Sequence, residues 1–242
     1  MIATYLNILS DRKSMMRVKT GIAGLDDMLN GGIPKQRHIA VFGGPGSGKS
    51  SFCFEYIYRG AKIGEKGIYI TLEETPEDMI SNMKATFSLL ADVDELVEKK
   101  DLEVIKPDEV DLLKVAEIIE DRIIHNKIER VAIDSATFIK LTFVREEEYR
   151  KTLFEFFSLL RNLSCTSMLV LEASSDRRDM MRYDVEHYVM DGIINLYNLD
   201  RGDKRIRALE IMKMRGTDHS RELVPFKVTP SGIRVYVGEK VF

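Results

Sequence analysis

Residues 43–50 read Gly43-Gly44-Pro45-Gly46-Ser47-Gly48-Lys49-Ser50, directly after the apolar run Ile39-Ala40-Val41-Phe42. The pattern is G-x-x-x-x-G-K-[ST], and its chemistry is the binding of a polyphosphate such as ATP or ADP. A triphosphate is a dense anion that needs several N–H donors converging at short range. Glycines let the backbone wrap that closely and take the positive φ values that side chains forbid. The helix expected to begin here adds its positive N-terminal end. Lys49 supplies a mobile charge for the β- and γ-phosphates, the Ser50 hydroxyl is placed for Mg²⁺, and Ser51 completes the cradle.

Such a loop needs a carboxylate to anchor the metal's water shell. Open α/β sheets place their ligands at the carboxyl ends of buried strands. Arg130-Val131-Ala132-Ile133-Asp134-Ser135 is an apolar strand ending in an acid and a hydroxyl, so Asp134 is the expected metal residue. Glu73-Glu74 follow the β-rich run Ile68–Leu72 directly. An acid at that place can polarise the attacking water as a general base. Glu73, nearer the strand, is expected to be the base, with Glu74 supporting it.

The elements that carry these residues alternate. Helical spacing over Lys49–Lys62 puts Phe52, Tyr56 and Ile57 on one face, and Thr75-Pro76-Glu77 is a helix start. A strand at Leu102–Ile105 precedes a helix over Val110–Asn126, with Leu113, Ala116, Ile119 and Ile123 at helical spacing. The helix Glu146–Leu163 leads into a strand at Ser167–Leu171. Strands alternating with helices imply a mostly parallel sheet covered on both faces. In the last third, Gly192–Leu199 with Lys204–Met214, and Phe226–Val228 with Ile233–Val237, read as antiparallel hairpins extending one edge.

The chain of 242 residues is long enough for one large domain with a sizeable core. Its net charge of −3, from 36 basic and 39 acidic residues, excludes a broadly cationic nucleic-acid coat. Cys53 and Cys165 cannot make a disulfide scaffold, and both sit in apolar stretches as small buried hydrophobes. No apolar run approaches the roughly 20 residues of a membrane span. A cytoplasmic protein is expected. Residues 1–17 read as an N-terminal arm or tail, with Ile2, Tyr5, Leu6 and Ile8 available for burial, and 18–242 as the catalytic domain.

Four segments give the chain a resemblance to the KaiC-like branch of RecA-superfamily ATPases, from about Arg17 to Tyr236. They are Thr20-Gly21-Ile22-Ala23-Gly24-Leu25-Asp26-Asp27 with Gly31-Gly32-Ile33-Pro34, the phosphate loop, Thr71-Leu72-Glu73-Glu74, and a C-terminal pair. That pair is Arg182–His187 with Asp191-Gly192, then Lys213-Met214-Arg215-Gly216-Thr217-Asp218-His219. The resemblance implies a RecA-like P-loop NTPase core. It also implies paired glutamates serving hydrolysis and a homo-oligomer, a hexamer in the family, in which Lys213 and Arg215 reach the neighbour's nucleotide. KaiC has two such lobes, and this chain is similar to the first, which hydrolyses ATP, rather than the self-phosphorylating second. A regulatory or signalling ATPase with a protein partner follows from that likeness.

An extended strand alternates its side chains. Lys213 and Arg215 should therefore project together, with Met212 and Met214 turned the other way into apolar packing. The other reading of the segment is a solvated basic edge strand. His219, after the basic segment, is a candidate nucleotide contact. The loop 174–182 carries Arg177, Arg178 and Arg182 on flexible flanks, which suits weak single-stranded DNA binding. A RadA-paralogue DNA-binding ATPase and a Ser/Thr (auto)kinase are thus the alternatives to a KaiC-like ATPase.

Overall fold

The computed structural model describes residues 16–175 and 182–241. A short antiparallel pair, β1 (Arg17–Val18) with β2 (Ile33–Pro34), brackets the one-turn helix α1 (Leu25–Met28). Arg17 ties this entry together, donating to the Leu29 and Gly32 carbonyls and to Thr217 Oγ1. The main sheet then alternates with helices. Its first half is β3 (His38–Gly43), α2 (Lys49–Lys62), β4 (Gly67–Thr71), α3 (Pro76–Thr86), α4 (Val93–Glu98) and β5 (Leu102–Ile105). Next come α5 (Leu112–Asn126), β6 (Arg130–Asp134), α6 (Ala136–Leu141), α7 (Glu146–Asn162) and β7 (Thr166–Glu172). The chain continues through α8 (Val185–Val189) to β8 (Gly192–Asp200), β9 (Arg205–Met214), β10 (Val224–Thr229) and β11 (Gly232–Val235).

The nine strands lie in the order β11-β10-β9-β8-β3-β7-β6-β4-β5. From β8 to β5 every neighbour is parallel, and β9, β10 and β11 add on antiparallel. The expected α/β class with C-terminal hairpins is what forms. Strand side chains alternate between two cores. Ile39 and Val41 pack under α1–α4, whereas Ala40 and Phe42 face α5–α8. Each fully buried Ile, Leu or Phe contributes about 1.5–3 kcal/mol relative to exposure. Helix α2 is enclosed on nearly every side, Phe52 through Tyr58 being buried, and Cys53 and Cys165 are both buried. Among the described residues no helix is long and apolar enough to cross a membrane.

Two expectations fail locally. Leu113 is 55% exposed, and the buried face of α5 is Leu112, Val115, Ala116 and Ile119. The Asp111 carboxylate caps the Leu113 and Lys114 N–H groups, starts the helix at Leu112, and so rotates Leu113 outward. Met212 is exposed rather than packed, while Met214 is buried as expected. The β8–β9 register shifts between Ile193, opposite Lys213, and Ile194, opposite Ile211, leaving Met212 as the extra residue of a bulge.

Candidate active site

The phosphate loop leaves β3 at Gly43, where no side chain fits: a Cβ would lie 2.3 Å from Ser47 Oγ and 2.6 Å from the Leu196 carbonyl. Gly44 and Pro45 continue the turn, and Gly46 and Gly48 take φ of +73° and +97°. Gly48 caps α2, so Lys49, Ser50 and Ser51 occupy its first turn, where free N–H groups and the helix dipole favour an anion. Lys49 Nζ donates to the Gly43 and Gly44 carbonyls at 2.8 and 3.1 Å. From the sheet side, Arg207 Nε donates to the Gly46 carbonyl at 3.0 Å. Asn198 Nδ2 lies 3.5 Å from the Pro45 carbonyl. These two supports were not legible in the sequence, because they come from β8 and β9 about 150 residues later.

The neighbouring strand ends bring the acids to the loop. Thr71 of β4 pairs with Asp134 of β6, and Gly43 of β3 pairs with Glu172 of β7. Backbone bonds lock these ends: Leu72 N–H to the Asp134 carbonyl at 2.6 Å and Ala173 N–H to the Gly43 carbonyl at 3.2 Å. A cavity of about 140 Å³ results, and Lys49, Ser50, Glu73, Glu74, Asp134 and Glu172 line it. Asp134 is 7% exposed and accepts from the Tyr69 hydroxyl. Burial pushes its carboxyl above the ordinary value, while hydrogen bonds from Ser50 and Tyr69 pull it back. Glu73 is raised too, first by burial and then by the nearby Asp134 carboxylate, with Glu172 and Glu74 adding to it. Glu74 lines the cavity as well, with its Oε2 held by Asn82 Nδ2 at 2.9 Å.

Sequence reasoning missed Glu172, although the rule that found Asp134 and Glu73, an acid ending an apolar strand, applies to it equally. It also missed Tyr69. For a divalent ion, the donor set formed by the Ser50 hydroxyl and the Asp134 carboxylate is hard oxygen, which suits Mg²⁺ completed by phosphates and water.

The remaining candidates lie elsewhere. Met214 pairs with Gly192 and Ile39 also pairs with Gly192, so Lys213 and Arg215 stand beside the start of β3. The phosphate loop leaves the other end of that strand, about 13 Å further along. Lys213 and Arg215 do project together, as alternation requires once the bulge is passed. Lys213 Nζ donates to the His187, Tyr188 and Met190 carbonyls at the C-terminal end of α8, at 3.1, 3.4 and 2.6 Å. Burial, then the neighbouring Arg215, holds its ammonium below the usual lysine value. Arg215, half-exposed, reaches Asp191 Oδ1 at 3.4 Å and the Tyr188 carbonyl at 3.3 Å. His219 contacts the Ser220 carbonyl through Nδ1 at 2.9 Å, and Ser220 N–H bonds to the Met28 carbonyl near α1. Arg182 is exposed, with its N–H on Ser174 Oγ, and Arg177 and Arg178 lie outside the described residues.

A family model described as the KaiC ATPase matches residues 18–240. A UPF0273 protein of Thermotoga maritima is 36% identical over 240 residues, covering 92% of this chain and 97% of that protein. A UPF0273 protein of Methanopyrus kandleri is 38% identical, with 93% and 94% covered. The circadian clock oscillator protein KaiC of Parathermosynechococcus lividus is 34% identical over 94% of this chain, which spans only 44% of that relative. Phosphate loop, strand-end acids and these matches agree: the chain is an ATP-binding P-loop protein and belongs to the KaiC family of RecA-superfamily ATPases.

Proposed function

We propose that the protein binds ATP with Mg²⁺ and hydrolyses it slowly, at sites that two neighbouring copies complete between them. The observation that carries this reading is the meeting of Lys49, Ser50, Asp134 and Glu73 around one small cavity at the carboxyl end of the sheet. In this reading the loop N–H groups and Lys49 hold the phosphates, and Ser50 and Asp134 hold the ion. When bound, that ion neutralises charge on the β- and γ-phosphates. Glu73 takes the proton of the attacking water, helped by a carboxyl that burial has made more basic than an ordinary glutamate. Glu74 and Glu172 flank it.

The transferring γ-phosphoryl spreads charge over its oxygens, and a cation from a neighbour is typically worth 10³-fold or more in rate. Lys213 and Arg215 sit at the far end of β3 from their own phosphate loop, so their part in hydrolysis is played on the adjoining copy. A closed homo-oligomer, a hexamer, satisfies every such site at once. Residues 18–242 form the catalytic unit, and the arm or tail expected over 1–17 lies, for residues 1–15, outside the described residues. The resemblance to a circadian clock oscillator protein supports a regulatory or signalling role for the ATPase, and the same proposal includes a protein partner and a cytoplasmic location. The test is phosphate release from ATP with and without Mg²⁺. Wild type should turn over only with the ion, and Lys49→Ala should lose binding or turnover; unchanged hydrolysis by Lys49→Ala would overturn the site.

A further inference from the structure

Glu55 lies one and a half turns into α2, touches neither the phosphate loop nor solvent, and has a completely buried side chain. A buried carboxyl must have partners, and both oxygens are engaged. Oε1 accepts from Arg59 Nε and Nη2 at 3.1 and 3.0 Å, and Oε2 accepts the Ile233 N–H at 2.6 Å. Arg59 reaches onward to the Ser231 carbonyl at 3.2 Å. The turn between β10 and β11 is thus stapled to the helix that follows the phosphate loop.

Gly232 makes the close approach possible. Its φ is +114°, and a Cβ there would come within 2.4 Å of Glu55 Oε1 and 2.9 Å of Arg59 Nη2. From this turn β10 runs back to Val228 and Phe226, whose side chains would stand 3.7 and 3.9 Å from a Cβ on Gly48. Both line a groove of about 720 Å³ that Asn198 and Arg207, the two supports of the phosphate loop, also border. Phosphate loop, α2 and hairpin therefore meet here, where Glu55 joins two further ties on the turn: Arg59 holds the Ser231 carbonyl, and the Pro230 carbonyl accepts the Leu89 N–H at 3.1 Å.

We infer that Glu55 is a positioning residue for the nucleoside part of the bound nucleotide, holding the β10–β11 hairpin as a fixed wall beside the phosphate loop. The inference rests on the reading that ATP occupies that loop. Burial raises the Glu55 carboxyl, and the hydrogen bonds from the Ile233 N–H and Arg59 pull it back down. The side-chain bonds of Glu55 go to Arg59 and Ile233 rather than to the phosphate loop, so its loss should be felt more strongly by the nucleoside than by the phosphates.

The experiment compares equilibrium binding of ADP and of inorganic tripolyphosphate, each with Mg²⁺, to wild type, Glu55→Ala, Glu55→Gln and Gly232→Ala. ADP should weaken about tenfold in Glu55→Ala and in Gly232→Ala, with tripolyphosphate changed less than about twofold. Glu55→Gln keeps one acceptor for the Ile233 N–H and should fall between. The double variant Glu55→Ala/Gly232→Ala should lose no more than Glu55→Ala, since the two changes act on one contact. Equal loss of both probes, or unaltered ADP affinity in either folded variant, would overturn the assignment. A wild type that held tripolyphosphate as tightly as ADP would do the same. Should wild type bind neither probe, the phosphate-loop reading itself fails and this one falls with it.

Discussion

Replacing Glu73 by Gln changes one atom's chemistry and leaves the volume of the cavity intact. Four carboxyls, Glu73, Glu74, Asp134 and Glu172, face the space where Lys49 and Ser50 would hold a γ-phosphate. Removing one of them relieves repulsion on an incoming anion, so ATP affinity should hold or tighten by a few-fold. Turnover should do the opposite. A positioned general base supplies about 10²–10⁴ in rate, which is roughly 3–5 kcal/mol of barrier. A variant that keeps binding and loses kcat has lost an interaction made only in the transition state. The assay pairs single-turnover hydrolysis at saturating ATP with equilibrium binding of the same nucleotide. Glu74→Gln is the internal control. Its carboxylate is held by Asn82, 2.9 Å away, so its replacement should cost less than about tenfold. Turnover of Glu73→Gln within tenfold of wild type, or a larger loss in Glu74→Gln, would refute the assignment of the base.

Three other outcomes are expected. Arg215→Ala should lower kcat by about 10³-fold with nucleotide affinity nearly unchanged, read by the same paired assays; a loss confined to affinity would place Arg215 outside the transition state. Arg130 is fully buried and donates to Glu65 and to the Tyr56 and Lys19 carbonyls at 2.8, 2.9 and 2.7 Å. Arg130→Ala strands those partners and should cost about 3–5 kcal/mol, a drop in Tm of roughly 10 °C, measured by thermal unfolding without nucleotide. His38, stacked on Phe157 and bonded to Ser167 Oγ at 2.9 Å, is held down to about 4 mainly by burial. The unfolded chain takes up that proton first, so stability should fall as pH drops from 6.5 towards 4, by about 3 kcal/mol at the end of the window. His38→Gln should flatten that slope, and an unchanged slope would assign it to other groups.

The chemistry at strand ends was legible because one rule, an apolar run closed by an acid or a glycine-rich turn, names positions without needing their distances. Asp134, Glu73 and the phosphate loop obey it and meet in one cavity. Glu172 obeys it as well, and only its pairing with Gly43 makes its relevance visible. What sequence periodicity could not supply was phase. A cap at Asp111 turned Leu113 out of the core, and one bulge at Met212 broke a strand's alternation without any local signal. Long-range contacts were the other gap. Arg207 on the phosphate loop, Glu55 on Ile233, and Lys213 on the end of α8 join residues separated by 23 to 178 positions, and each is fixed by the order of strands in the sheet. The placement of Lys213 and Arg215 at the opposite end of β3 follows from that same order.

That placement makes the shared site the claim most worth testing, and mixing two inactive proteins tests it directly. Lys49→Ala lacks a working phosphate loop but keeps Arg215, and Arg215→Ala keeps the loop but lacks the donated cation. After subunit exchange, some interfaces pair an intact Lys49 with an intact Arg215, and hydrolysis should partly return in proportion to their frequency. Mixtures that stay inactive despite proven exchange, or full turnover by a protein that remains monomeric with ATP, would contradict it.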